Sequence, residues 1–170
     1  LDRQDFVDNG YANGVPMGGD LSKPATGKRP VFMVKAMKDP NGPNLDRVQV
    51  IKGWLGKDGK SHERIYDVAV SGDRKIGPDG RCKTPVGNTV DVANASYTNT
   101  IGAATLSAFW SDPEFDATQS AFYYIRVIQI PSPRWTAYDQ KRFGIKMSAD
   151  VPMTVTDRAY TSPIWYTPAK

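Results

Sequence analysis

Ten residues, 121–130 (AFYYIRVIQI), run without Gly, Pro, Asn or Asp and form the longest apolar and aromatic stretch of the chain. Aromatic and β-branched side chains fit a pleated surface, so the stretch predicts a strand. Alternation sets Phe122, Tyr124, Arg126, Ile128 and Ile130 on one face and Tyr123, Ile125 and Val127 on the other. Apolar residues on both faces predict a central strand covered on both sides. Tyr124, Ile125, Val127 and Ile128 are then expected to be buried, with Val48, Val50 and Trp54 beside or across from them. Pro131-Ser132-Pro133 ends the strand, because proline has no N–H to give a ladder.

Weaker patterns repeat the same theme. Residues 31–36 read as a short strand before the turn Asp39-Pro40-Asn41-Gly42-Pro43. Residues 47–55 alternate, with Val48, Val50, Lys52 and Trp54 opposite Gln49, Ile51, Gly53 and Leu55. Lys57-Asp58-Gly59-Lys60 is a hairpin signal, and residues 64–70 return from it. Residues 71–88 are a polar, turn-rich excursion. Short strands are expected at 88–94 and 97–106, a helical turn at 112–116 behind Pro113, and a short helix at 135–143 stopped by Gly144. Residues 153–156 and 159–166 read as extended, with Pro163 favouring an edge. The Gly- and Pro-punctuated residues 1–30 read as a loop-like lead-in, with one helical turn over 2–8. These patterns predict one all-β domain over residues 1–170. The expected fold is an immunoglobulin-like antiparallel β-sandwich with long loops and one or two short helices, with a closed barrel as the alternative.

Composition narrows the chemistry. The net charge of +4 comes from 22 basic and 18 acidic residues that are interspersed, which argues against a nucleic-acid footprint. No apolar run approaches the ~20 residues of a membrane span. Cys82 is the only cysteine, so an intrachain disulfide and a CxxC metal site are excluded. His62 is the only histidine, which excludes a histidine-based triad or multi-histidine metal site within this chain and reads as an exposed turn residue. No metal or other cofactor is therefore expected here. Cations on both sides of Cys82 favour a thiolate, yet its turn-rich loop reads as structural. Gly18-Gly19-Asp20 reads as a tight turn, since one carboxylate holds a hard cation only with several further oxygens.

Arg126 needs a partner on its strand, and the ordinary solution is an ion pair. The functional alternative is an anion-facing residue in a shared cleft. Arg134, Trp135, Tyr138 and Trp165 follow the proline-containing ends. They either close the core or form a rim that binds sugars or a partner by stacking and desolvation. With Arg126 they make up the candidate binding set. Asn94-Ala95-Ser96 matches a glycosylation sequon, which matters only in a secreted eukaryotic protein.

Five segments carry a resemblance: 14–21 (GVPMGGDL), 38–54 (KDPNGPNLDRVQVIKGW), 87–91 (GNTVD), 121–139 (AFYYIRVIQIPSPRWTAYD) and 158–168 (RAYTSPIWYTP). Together they resemble the carboxy-terminal part of the bacterial domain-of-unknown-function family three-six-zero-four. The resemblance implies a carboxy-terminal fragment of a large, often exported protein, periplasmic or extracellular. The amino-terminal part of such proteins is similar to the polymerase-and-histidinol-phosphatase class of metallohydrolases, where a divalent metal would sit. The clustered-histidine metal signature of that part has no counterpart here, and no catalytic residue carries over. The implied role is a non-catalytic accessory domain packed against the upstream catalytic domain and walling one side of its cleft. The alternative is an independent carbohydrate- or peptide-binding module using Trp54, Trp135 or Trp165. A polar, Met-less start adds the expectation of an opened sheet edge that pairs with upstream chain or with a second copy.

Overall fold

The computed structural model describes residues 6–22, 24–25 and 27–168. Helix α1 (Phe6–Asn13) leads into β1 (Asp20–Leu21), β2 (Val31–Met37), β3 (Leu45–Leu55), β4 (Ser61–Val70), β5 (Thr105–Ser111) and β6 (Ala121–Gln129). After β7 (Ser132–Pro133) come α2 (Trp135–Phe143), β8 (Thr154–Val155), β9 (Arg158–Tyr160) and β10 (Ile164–Tyr166).

The alternation of residues 47–55 and 121–130 produces the pairing that dominates the fold. β6 runs antiparallel to β3 with Val48 opposite Val127, Val50 opposite Ile125 and Lys52 opposite Tyr123. β4 closes the other side of β3 through the predicted hairpin, where Gly59 takes φ +75. Beyond β6 lie β9 and β10, and β1 adds a parallel edge to β10, giving the order β1-β10-β6-β3-β4 with β9 also on β6. β6 is thus central, as its pattern implies.

A second layer, the antiparallel pair β2–β5, lies on one face of this sheet. Phe32 packs with Val50, Ala121 and Tyr123, and Val34 with Leu45, Val48 and Leu106. Val48 and Val50 are fully buried, and Trp54 and Ile125 pack partly buried against the same core. The fold is mainly β, with mixed and antiparallel sheets, two short helices among the described residues and no barrel.

Several expectations need correction. The second layer covers only the Tyr123 face of β6, so Tyr124 and Ile128 are partly exposed, not buried; Val127, on the covered face, is also only partly buried. The strand expected at 97–106 lies later, at β5, because Gly102 is needed at φ +79 in a turn pressed against Asn44 and Ile130. Residues 88–94 form no strand, only the bridge between Asp91 and Ser96. Residues 112–116 form turns instead of a helical turn, with Asp112 Oδ1 accepting the Glu114 N–H at 2.8 Å. In the lead-in, α1 is a two-turn helix, longer than the turn expected, and residues 2–5 of that turn lie outside the described residues. The short helix at 135–143 and its left-handed Gly144 cap (φ 62) are as the sequence predicts.

In the larger sheet one edge is short and the other is partly covered. β1 is two residues long, and the Asp67 N–H on β4 donates to the Gly80 carbonyl at 2.8 Å. No helix among the described residues is long and apolar enough to cross a membrane.

Candidate functional site

The face of β6 turned away from β2–β5 is the unusual surface of this molecule. Cross-strand partners share a face, so Phe122, Tyr124 and Arg126 stand beside Trp165 and Tyr160, their partners on β10 and β9. The rings form a row: Trp165 to Phe122 at 5.3 Å between centroids, Phe122 to Tyr124 at 6.4 Å, and Tyr124 to Tyr160 at 6.2 Å. Trp165 is 46% and Tyr160 58% exposed, so the row is open to solvent. Gly53 makes its start possible. A β-carbon there would sit 2.3 Å from Phe122 Cζ, so only glycine lets the ring lie on the β3 backbone.

At the Trp165 end the row opens into a cleft of about 460 Å³, lined by Trp54, His62, Glu63, Phe122 and Trp165 among others. His62 stacks on Trp54 at 5.3 Å and lies 3.4 Å from Asp58. The cleft therefore has aromatic walls and a polar edge formed by His62 and Glu63, the composition of a site that holds a ring and orients it.

The other end of the row is built around a buried carboxylate. The Asp67 side chain is fully buried on β4 and accepts the Gln49 amide at 2.6 Å, the Cys82 N–H at 2.7 Å and Arg47 at 3.1 Å. Gln49 Oε1 then accepts Arg126 Nε at 2.7 Å. The chemistry fixes this amide's orientation, since a carboxylate only accepts and a guanidinium only donates. Arg126 thus finds an amide instead of the expected ion pair. The arginine–carboxylate pairs of the described residues use Arg47, Arg64, Arg74 and Arg81.

The covered face holds its own polar group. Lys52 Nζ lies 2.5 Å from Asp112 Oδ2, with both side chains almost wholly buried, and donates to the Glu114 carbonyl at 2.8 Å. Tyr123 donates to the same Asp112 oxygen at 2.8 Å. Burial pushes the Tyr123 hydroxyl well above the ordinary phenol range, and its bond to Asp112 adds to the effect, so it stays a donor. Glu114 in turn pairs with Arg64 and accepts the Tyr66 hydroxyl at 3.2 Å. Both carboxylate oxygens of Asp112 are satisfied inside the protein, which marks this group as structural.

Of the sequence candidates, Arg126 and Trp165 fall on the open face. Trp135 and Tyr138 belong to α2 and Arg134 is the extended residue before it, all beyond the end of β6, which lies about 23 Å along the strand from Phe122. Trp135 and Tyr138 are exposed there, with Arg134 over the Trp135 ring at 6.0 Å. The five residues do not form one site. Sequence reasoning missed Phe122, Tyr124 and Tyr160 as surface groups, although alternation had already set the first two beside Arg126. Cys82 is buried, with its thiol toward the Thr84 carbonyl at 3.5 Å, and serves Asp67 through its backbone. Asn94 is exposed, but its amide is bound to Asp91 at 2.6 Å. Among the described residues no group of three or more His, Cys, Asp or Glu side chains converges as a metal site.

Fold and surface together define a two-layered, mainly β protein whose larger sheet is covered on one face and, along β6, β9 and β10, carries an open strip of aromatic and basic residues on the other. Its sequence places it more specifically. The chain belongs to the family described as Protein of unknown function (DUF3604), whose model matches residues 1–168. No curated protein and no solved structure matches it.

Proposed function

We propose that this chain is a non-catalytic accessory domain of an exported, metallohydrolase-like polypeptide, a sandwich-like unit that packs against the catalytic domain. The observation that carries this reading is the open aromatic row. Four aromatic rings in contact across β6, β9 and β10, two of them about half exposed, form a contiguous patch of the kind that marks an interaction surface. Packing is anchored at the Trp165–Phe122 end, so that the Arg126 end looks into the cleft between the two domains. A divalent metal would belong to the catalytic domain, and the setting is periplasmic or extracellular.

Hydrogen exchange tests this directly, comparing the isolated chain with the longer polypeptide that carries the catalytic part. Protection of residues 121–124 and 164–166 should rise in the longer protein and fall again in its Trp165→Ala variant. Equal exchange in both proteins refutes the packing. The aromatic cleft favours a second reading, an autonomous carbohydrate- or peptide-binding module. Tryptophan fluorescence that saturates with an oligosaccharide or peptide on the isolated chain, and not on Trp165→Ala, would select it.

A further inference from the structure

The register of β9 on β6 brings two arginines together without a counter-ion. Arg126 is paired with Tyr160 and Ile128 with Arg158, so Arg126 and Arg158 are diagonal neighbours on the open face. Such positions lie about 7–8 Å apart at the backbone, well within the reach of two arginine side chains converging on one group. Neither is held by a carboxylate, since the arginine–carboxylate pairs of the described residues involve other arginines. Like charges in this arrangement repel each other, and an anion between them removes the repulsion.

Arg126 is also set in place. Its Nε is taken by Gln49, and Gln49 is locked by the buried Asp67, so the guanidinium has a defined direction before anything binds. Both terminal nitrogens of Arg126 have no partner among the described residues, leaving the edge that binds an oxyanion free. Arg158 is exposed and completes the pair. The neighbouring Tyr124 and Tyr160 rings provide a floor on which the carbon skeleton of a ligand rests.

We propose that Arg126 and Arg158 form an oxyanion-binding site that takes the carboxylate, sulfate or phosphate group of an acidic ligand. The site stands on the arginine geometry of this chain and needs no docked domain. Its failure would leave the packing reading intact, and the reverse also holds.

The test is an NMR titration of the arginine Nε–H signals of the chain with inorganic phosphate, inorganic sulfate and glucuronate. Ionic strength is held constant, so that general screening is not mistaken for binding. At least one probe should give saturable shifts at Arg126 and Arg158, and the probe that saturates at lowest concentration identifies the source of the oxyanion. Arg126→Gln and Arg158→Gln should each weaken that binding by about tenfold or more, while Arg134→Gln leaves it unchanged. Arg158 is exposed and has no partner among the described residues, so its variant decides the matter if Arg126→Gln does not fold. Absence of saturation with all three probes, or binding retained in a folded variant of either arginine, overturns the proposal.

Discussion

Replacing Asp112 with alanine removes the only carboxylate among the described residues that Lys52 touches. The Asp112 side chain is fully buried and that of Lys52 is 4% exposed, with 2.5 Å between Nζ and Oδ2. In Asp112→Ala the ammonium keeps the Glu114 carbonyl at 2.8 Å and the faces of Trp54 and Tyr123 at 5.1 and 6.0 Å. Those contacts do not neutralise it. Breaking one side of a buried pair costs about 3–5 kcal/mol, because the remaining charge stays desolvated. Lys52→Met should cost a similar amount from the other side. The double variant leaves no orphan charge, only three polar groups without their partners, the Tyr123 hydroxyl and the N–H and carbonyl of Glu114, at roughly 0.5–1.5 kcal/mol for each unmade hydrogen bond. The double loss should therefore fall short of the sum of the singles by about 2 kcal/mol or more. Urea unfolding at neutral pH, followed by tryptophan fluorescence, measures all four proteins. With a slope of about 2 kcal/mol/M, either single change moves the midpoint by roughly 2 M. A loss below about 1 kcal/mol in Asp112→Ala, or strict additivity, would show that the pair is solvated and that this end of the core is misread.

Gly53→Ala should destabilise by about 1–3 kcal/mol, because its β-carbon would meet Phe122 Cζ at 2.3 Å and the ring must lift off β3. A structure of the variant with the Phe122–Trp165 contact still at 5.3 Å would count against that account. A second change concerns acid pH. The Asn94 side-chain amide, 2.6 Å away, holds the Asp91 carboxyl below its ordinary value, with help from the Asn94 N–H. A carboxyl lowered on folding contributes stability that is present above its unfolded pKa and lost as pH falls through the folded one. Asn94→Ala should move the Asp91 titration, followed by carboxyl NMR, upward toward the ordinary range; an unchanged titration would mean that the backbone alone sets it.

The strands were legible where local pattern and tertiary demand agree. Residues 47–55 and 64–70 alternate around an Asp-Gly turn, and they become β3 and β4, each starting two or three residues earlier and ending where the pattern does. The short helix before Gly144 was equally plain, because the left-handed cap is a local property of glycine. β5 was not. Residues 97–104 carry strand-forming Tyr and Thr, but Asn44 takes the carbonyls of Asn99 and Ile101 through its side-chain amide and holds them out of any ladder. That partner lies more than fifty positions earlier, beyond the reach of a sliding window. The Lys52–Asp112 pair was hidden in the same way. A lysine on a face shared with Val48, Val50 and Trp54 signals that some acid must meet it, but sequence alone does not say which.

The open face presents the reverse case, in which the pattern was visible and its usual meaning did not hold. Apolar residues on both sides of a strand ordinarily mean two covering layers within one fold. Here the Tyr123 side is covered by β2 and β5, while the Phe122 side carries rings with water on them. The residue types on that side reconcile the two facts. Tyr124, Tyr160 and Trp165 combine an apolar body with a polar tip, so they tolerate solvent while still gaining from being covered. Arg126 and Arg158 keep the same surface charged, which limits the indiscriminate association that a purely apolar exposed face would invite. A face built only for a permanent internal layer would have no use for two arginines without carboxylates among the described residues. A face built only for water would have no use for four rings in contact. Their coexistence on one strip of β6, β9 and β10 is what the two proposals together call for, a ring-lined end to be covered and an arginine end to take an anion.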